Sequence, residues 1–175
     1  MSRKRCSRLC LMLAIGSILS PCLIGQQAAH TSLASAPVPS QIVSARKVFI
    51  ANAGVDVNAQ AVFKRAGEPE QAYNHFYAAM QSWGKYDLAS TPGEADLIFE
   101  IRFIAPVYYN GTLSEFQPQF DLTVLDAKTH FVLWSLTEPV EGAFRKATWV
   151  KNFDHGLEAL MDDLKKISGP ASTEK

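Results

Sequence analysis

Leu97 to Ile104 reads LIFEIRFI, and its two faces differ in kind. Side chains alternate across a strand, so Leu97, Phe99, Ile101 and Phe103 fall on one side, and Ile98, Glu100, Arg102 and Ile104 on the other. One face is wholly apolar and the other carries a charge pair. That pattern belongs to a sheet covered on one side and partly open on the other. The run LTVLDAKTHFVLWSLTEPV, Leu122 to Val140, has the same period. Phe120, Leu122 and Val124 alternate with Gln119, Asp121 and Thr123. Beyond a turn, Val132, Trp134 and Leu136 alternate with Phe131, Leu133, Ser135 and Thr137. Between them Asp126-Ala127-Lys128-Thr129-His130 reads as a hairpin loop. Asp126 is expected to accept the amides ahead of it. The last loop position often requires φ > 0, and here it falls on His130, which tolerates that region better than β-branched residues do. Trp134 therefore reads as a strand residue packing in the sheet, not as a catalytic group.

The other elements follow from punctuation and period. Lys47 to Asn52 (KVFIAN) is apolar on both faces, as a central strand requires. Residues Ala59 to Gly67 are ambiguous between helix and loop. A helix is expected to begin near Pro69, with Glu68 and Glu70 beside the positive end of its dipole. Tyr73, Phe76, Tyr77, Met80 and Trp83 form its stripe, and Gly84 stops it. Tyr86 to Ser90 reads as a short strand before the Thr91-Pro92-Gly93 turn. From about Thr148 to Ile167 a second stripe runs through Trp149, Phe153, Leu157, Leu160, Leu164 and Ile167, ended by Gly169-Pro170. In that helix Asp162 and Lys166 are spaced for an i,i+4 pair. The order is β-α-β-β-β-β-α. The expected class is α+β: a mainly antiparallel sheet with two amphipathic helices on one face.

The start of the chain is of another kind. Arg3, Lys4, Arg5 and Arg8 precede an apolar run from Leu9 to Leu23, and no acid occurs before Asp56. A basic head, a short apolar run and small polar residues are the order of a secretory signal. The run is about 15 residues, short of the roughly 20 a membrane span needs. Ser32 and Ala34 suit a cut before Ser35, giving a signal peptide over 1–34. A flexible leader over 35–44, a single domain over 45–168 and a polar tail over 169–175 complete the expected organisation. The alternatives are an uncleaved membrane anchor and lipid attachment at Cys22, with Pro21 where such signals carry a small residue. All three cysteines (Cys6, Cys10, Cys22) precede the cut, so the mature chain offers no disulfide, thiol nucleophile or thiolate metal site. Removal of 1–34 leaves 13 bases against 17 acids, a net charge of −4 with His neutral. An acidic domain is a poor ligand for nucleic acid or anionic lipid. Membrane contact is expected only through a lipid on Cys22.

Little in the mature chain spells chemistry. His75, His130 and His155 form no metal-binding pair, and there is no HExxH, nucleophile elbow, Walker loop or dinucleotide fingerprint. Asp154-His155 are neighbours in sequence, but adjacent helical side chains point apart. Glu100, Asp121 and Asp126 read as solvated acids of an open sheet face. No catalytic residue, metal or cofactor is assigned. Pro106 to Pro118 (PVYYNGTLSEFQP) is the one segment that reads as a contact site. Either its strands extend the sheet and its aromatics pack, or it stands as a loop offering Tyr108, Tyr109, Asn110 and Phe116 for recognition. Tyrosine joins a large apolar ring to a polar tip, which suits contact surfaces.

The strand KVFIANAG, the EADLIFEI strand after a Pro-Gly turn, the LTVLDAKTHFVLWS hairpin and the final helix resemble small bacterial cell-envelope domains: the amino-terminal domain of TolB, the CsgG-like fold and related envelope lipoproteins. The likeness covers roughly residues 45–167. Such families usually place Gly where this chain has His130, and many carry a clean lipid-attachment motif where this chain has Pro21. The resemblance implies an exported, periplasmic or secreted module that binds or assembles with another envelope protein, without catalytic activity. The alternative is a small periplasmic hydrolase or lyase using acids and histidines gathered by the fold.

Overall fold

The computed structural model describes residues 36–66, 71–111 and 113–169, which fall in one unit of the chain, Ala36–Lys175. The expected signal peptide, the cut before Ser35, Cys22, Pro69 and the tail beyond Gly169 lie outside the described residues.

Strand β3 (Leu97–Ile104) is the centre of a five-stranded sheet ordered β2-β1-β3-β6-β7. Its apolar face is sealed: Leu97, Phe99, Ile101 and Phe103 are buried, whereas Arg102 is exposed and Glu100 half-buried. β6 (Gln119–Asp126) pairs antiparallel with β3, and Phe120, Leu122 and Val124 join the sealed face. β7 (Val132–Pro139) pairs antiparallel with β6 and forms the sheet's edge. β1 (Lys47–Val55) pairs parallel with β3 and with the two-residue β2 (Asp87–Leu88). A parallel pair needs a crossover, and the chain from β1 to β3 supplies one through two helices. The class is α+β, as the period of the strands implies, with parallel pairing confined to β1.

The helices cover the sealed face. α3 (Gln71–Trp83) lies against β1 and β3, and α4 (Lys146–Ser168) against β6 and β7. From α3 the core receives Ala72, Phe76 and Met80; Tyr73 and Trp83 are half-buried, and Tyr77 faces outward. From α4 it receives Trp149, Phe153, Leu157, Leu160, Met161 and Leu164. Gly84 (φ 66°) and Gly169 (φ 75°) end the two helices in the left-handed region, where glycine has no Cβ to clash. The expected Asp162–Lys166 pair is replaced by two i,i+3 pairs, Lys165–Asp162 at 3.1 Å and Lys166–Asp163 at 2.6 Å. Both spacings bring side chains together on a helix, so either partner choice is open to the chain.

Two segments depart from the sequence reading. The ambiguous stretch is helical as far as Ala66: α2 runs Val57–Ala66, and Asp56 caps it, its Oδ1 accepting the Ala59 amide at 2.6 Å. Asp56 Oδ2 accepts the Ala105 amide at 3.2 Å, tying the helix start to the end of β3. The expected flexible leader does not extend over Ser40–Ser44, which form the short helix α1. Ile42 is fully buried in the core, and the Tyr86 hydroxyl donates to its carbonyl at 3.0 Å. Val38 and Ala45, on either side of the helix, are half-buried against the same core.

The β6–β7 loop is the turn the sequence implies. Asp126 Oδ1 accepts the amides of Lys128 (3.0 Å) and Thr129 (2.7 Å), and His130 takes φ 58°. Trp134 stands opposite Val124 on the covered face, half-buried against the core. A bulge then intervenes. Val124 faces Trp134 but Leu125 faces Val132, so Leu133 is the extra residue. Val132 thereby shares the open face with Leu125 instead of the face of Trp134 and Leu136, contrary to simple alternation.

At the same end of the sheet, where the Ala127 amide donates to the Asp96 carbonyl at 3.1 Å, Asp96 Oδ2 accepts the amides of Arg46 (2.9 Å) and Lys47 (3.0 Å), clamping the start of β1 to β3. Those two amides, Arg46 first, hold the Asp96 carboxyl below the usual aspartate range. A carboxyl whose folded value is depressed adds stability above its unfolded value, about 3.9, and loses it as pH falls through the folded one. Resistance to urea unfolding is therefore expected to fall below about pH 4. Asp96→Asn should be less stable at pH 7 and show a shallower acid decline; a decline as steep as wild type would assign the acid sensitivity elsewhere.

Candidate functional site

The aromatic segment forms a hairpin of its own. β4 (Val107–Asn110) and β5 (Leu113–Phe116) pair as Val107↔Phe116, Tyr108↔Glu115, Tyr109↔Ser114 and Asn110↔Leu113, in a sheet separate from the main one. Gly111, next after the last paired residue of β4, takes φ 68°. Two prolines detach it. The main ladder ends at Ile104↔Gln119, and Pro106 and Pro118, lacking amide protons, stand in the two chains just beyond. A single bond, Gln117 N–H to the Pro106 carbonyl at 3.0 Å, closes the hairpin's base.

Standing off the sheet, the hairpin leaves its rings in solvent. Tyr109 is 81% exposed, Tyr108 54% and Phe116 50%, so the alternative in which the aromatics pack on an extended sheet is not the one adopted. Asn110 contributes its backbone to the last rung of the ribbon. Beside β5 lies a groove of about 1020 Å³, walled by residues 114–118 and 139–144 and closed by Tyr108, Lys146 and Trp149. Phe144, fully exposed, stands on the far wall. The sequence reading missed it: a lone Phe in a Gly-Ala-Phe-Arg loop has no period to declare it. The walls meet where the Val140 amide donates to the Pro118 carbonyl at 2.7 Å.

The histidines, Asp121 and Asp126 lie outside this groove. His75 Nδ1 is 3.4 Å from Asp154 Oδ1, across α3 and α4, with both side chains substantially exposed and neither lining the groove. His75 also sets its ring edge-on to Phe153, centroids 5.7 Å apart. His155, the sequence neighbour of Asp154, is exposed, and His130 serves the turn. On the open sheet face Asp121 accepts from Arg102 (3.2 Å), Gln119 (2.9 Å) and Thr137 (3.1 Å), so it is bonded on three sides. The Asp126 carboxyl is held below the usual range by the Thr129 amide first, then by the Thr129 hydroxyl. It belongs to the turn. Among the described residues no three His, Cys, Asp or Glu side chains gather as metal ligands would. No helix among them is long and apolar enough to cross a membrane.

No family model matches this chain, and no curated protein matches it. Solved structures do. A DUF4136 family protein from Bacteroides thetaiotaomicron is similar at TM-score 0.46 and 12% identity, over 74% of this chain and 91% of that one. A DUF330 protein from Xanthomonas campestris gives 0.44 and 18%, over 75% and 89%. The lipoprotein GNA1162 from Neisseria meningitidis gives 0.38 and 14%, over 69% and 99%. At such scores and identities none of them carries a role across to this chain.

Proposed function

We propose that this chain is an exported cell-envelope module that binds or assembles with another envelope protein through its aromatic hairpin, and that it is not an enzyme. The observation that carries the reading is the hairpin itself: Tyr108, Tyr109 and Phe116 exposed on a ribbon that two prolines separate from the sheet. Exposed rings gathered beside a groove mark contact surfaces, whereas singly scattered ones do not. The basic and apolar start supports export. The motif likeness to TolB and CsgG-like domains points to the same compartment. His75 and Asp154, the one histidine–carboxylate approach among the described residues, lie outside the groove and support a non-catalytic reading.

The test pairs stability with capture. Tyr108→Ala with Tyr109→Ala is expected to leave Tm within about 2 °C of wild type, since exposed side chains contribute little to folding. Partner capture from envelope fractions should be abolished. A markedly lower Tm, or unchanged capture, would remove the hairpin as the site. Mass spectrometry of the same preparation should find the N-terminus at Ser35. Lipid on Cys22 would make the module an anchored one, and an intact Met1 on a cytosolic protein would end the envelope assignment.

A further inference from the structure

The groove beside the hairpin is walled by chain edges, not by a face. Over the face of a two-stranded ribbon, lining residues would alternate and come from both strands. Here the lining is the unbroken run 114–118, with Tyr108 alone from β4, and opposite it the unbroken run 139–144. β5 pairs only with β4, so among the described residues no strand lies along its outer side. The opposite wall, residues 140–143, continues from β7 without helix or strand pairing. The walls are joined at one end by the Val140–Pro118 bond. A slot bounded by an open strand edge fits an extended chain, which can satisfy that edge with main-chain hydrogen bonds.

The charges say what the chain carries. Glu115 stands on one wall and Glu141 on the other; both are exposed, and among the described residues neither side chain has a cationic partner. Lys146 is at the helix end of the groove, beside Trp149. Tyr108, Phe116 and Phe144 give the slot its apolar surface. We infer that the slot binds an extended segment of a partner protein as an added strand on β5, one whose apolar side chains meet these rings and whose basic side chains meet Glu115 and Glu141. The inference rests on the proposed protein-binding role and names its mode.

Gly142 offers a clean block. A Cβ placed there meets nothing within 4 Å, so Gly142→Trp should fold normally while filling the slot. The probe is an acetylated and amidated peptide alternating valine with lysine and threonine, compared with its glutamate-for-lysine counterpart by fluorescence anisotropy at low salt. The lysine peptide should bind at least tenfold tighter, and Glu115→Gln with Glu141→Gln should erase that preference. Gly142→Trp should abolish binding. N-methylating one alternate set of peptide amides should also abolish it, while methylating the other set should not, because only one set faces β5. No binding, equal binding of both peptides, or indifference to both methylation patterns overturns the inference. So does sedimentation of the protein with phosphatidylethanolamine–phosphatidylglycerol vesicles through Phe144 in place of peptide binding. Partner capture that needs Tyr108 and Tyr109 but ignores Gly142→Trp would sink the strand slot and leave the binding role standing.

Discussion

Phe153→Ala is expected to destabilise the fold by about 3–5 kcal/mol, read from urea midpoints. Phe153 is 1% exposed on the inner stripe of α4. Its ring lies 4.8 Å from that of Phe120 and 5.6 Å from that of Phe103, joining the helix to β6 and β3. Removing it leaves a cavity at the point where helix and sheet meet, and both neighbours are themselves wedged ring to edge (Phe103 and Phe120, 5.0 Å). Such a pair collapses poorly into a void. Trp134→Ala should cost less, about 2 kcal/mol, because Trp134 sits half-buried on the edge strand and part of its ring area is already in water. A Trp134 variant as damaged as the Phe153 variant would mean that the edge strand, not the helix–sheet junction, organises the core.

Ile42→Ala should cost about 2–5 kcal/mol, the second large effect, although it lies ahead of the first strand. The side chain is fully buried, and its carbonyl accepts the Tyr86 hydroxyl. Freed from the core, α1 would fray, and limited proteolysis should cut ahead of Lys47 in the variant but not in wild type. Val43→Ala, one residue on and half exposed, should do neither. Equal proteolysis of wild type and the Ile42 variant would show that α1 is undocked in solution.

What the sequence made legible was whatever repeats. Two-residue alternation placed β3 and β6 and their inner faces, and helical stripes placed α3 and α4. Turn chemistry placed Asp126 and His130, because a side-chain acceptor and a positive φ each have few candidate residues. Single events were not legible. The Leu133 bulge costs one extra residue and leaves no mark on composition, yet it moves Val132 to the opposite face. Ile42 shares the leader with Val38 and Val43, and only its complete burial distinguishes it. Within the candidate site the tyrosines and Phe116 could be found by residue type. Pro106 and Pro118 were in plain view, but whether they end a ladder or merely bend it is decided by pairing. Phe144 and the slot belong to no pattern, since they arise where two distant chain segments meet.

The parallel pairing of β1 fixes an order of assembly. Val124 meets Trp134 across a short turn, whereas Val48 meets Leu97, 49 positions on. Closing the longer loop costs more chain entropy, so the β6–β7 hairpin can form early and β1 can dock only once β3 exists. A polypeptide threaded across a membrane from its amino end releases β1 first. Its KVFIAN run then waits, apolar on both faces, until the whole crossover and the central strand have followed. Under the proposed export, passage and pairing would run in opposite directions along this chain, and the interval between them is when β1 would be most open to being held by something else.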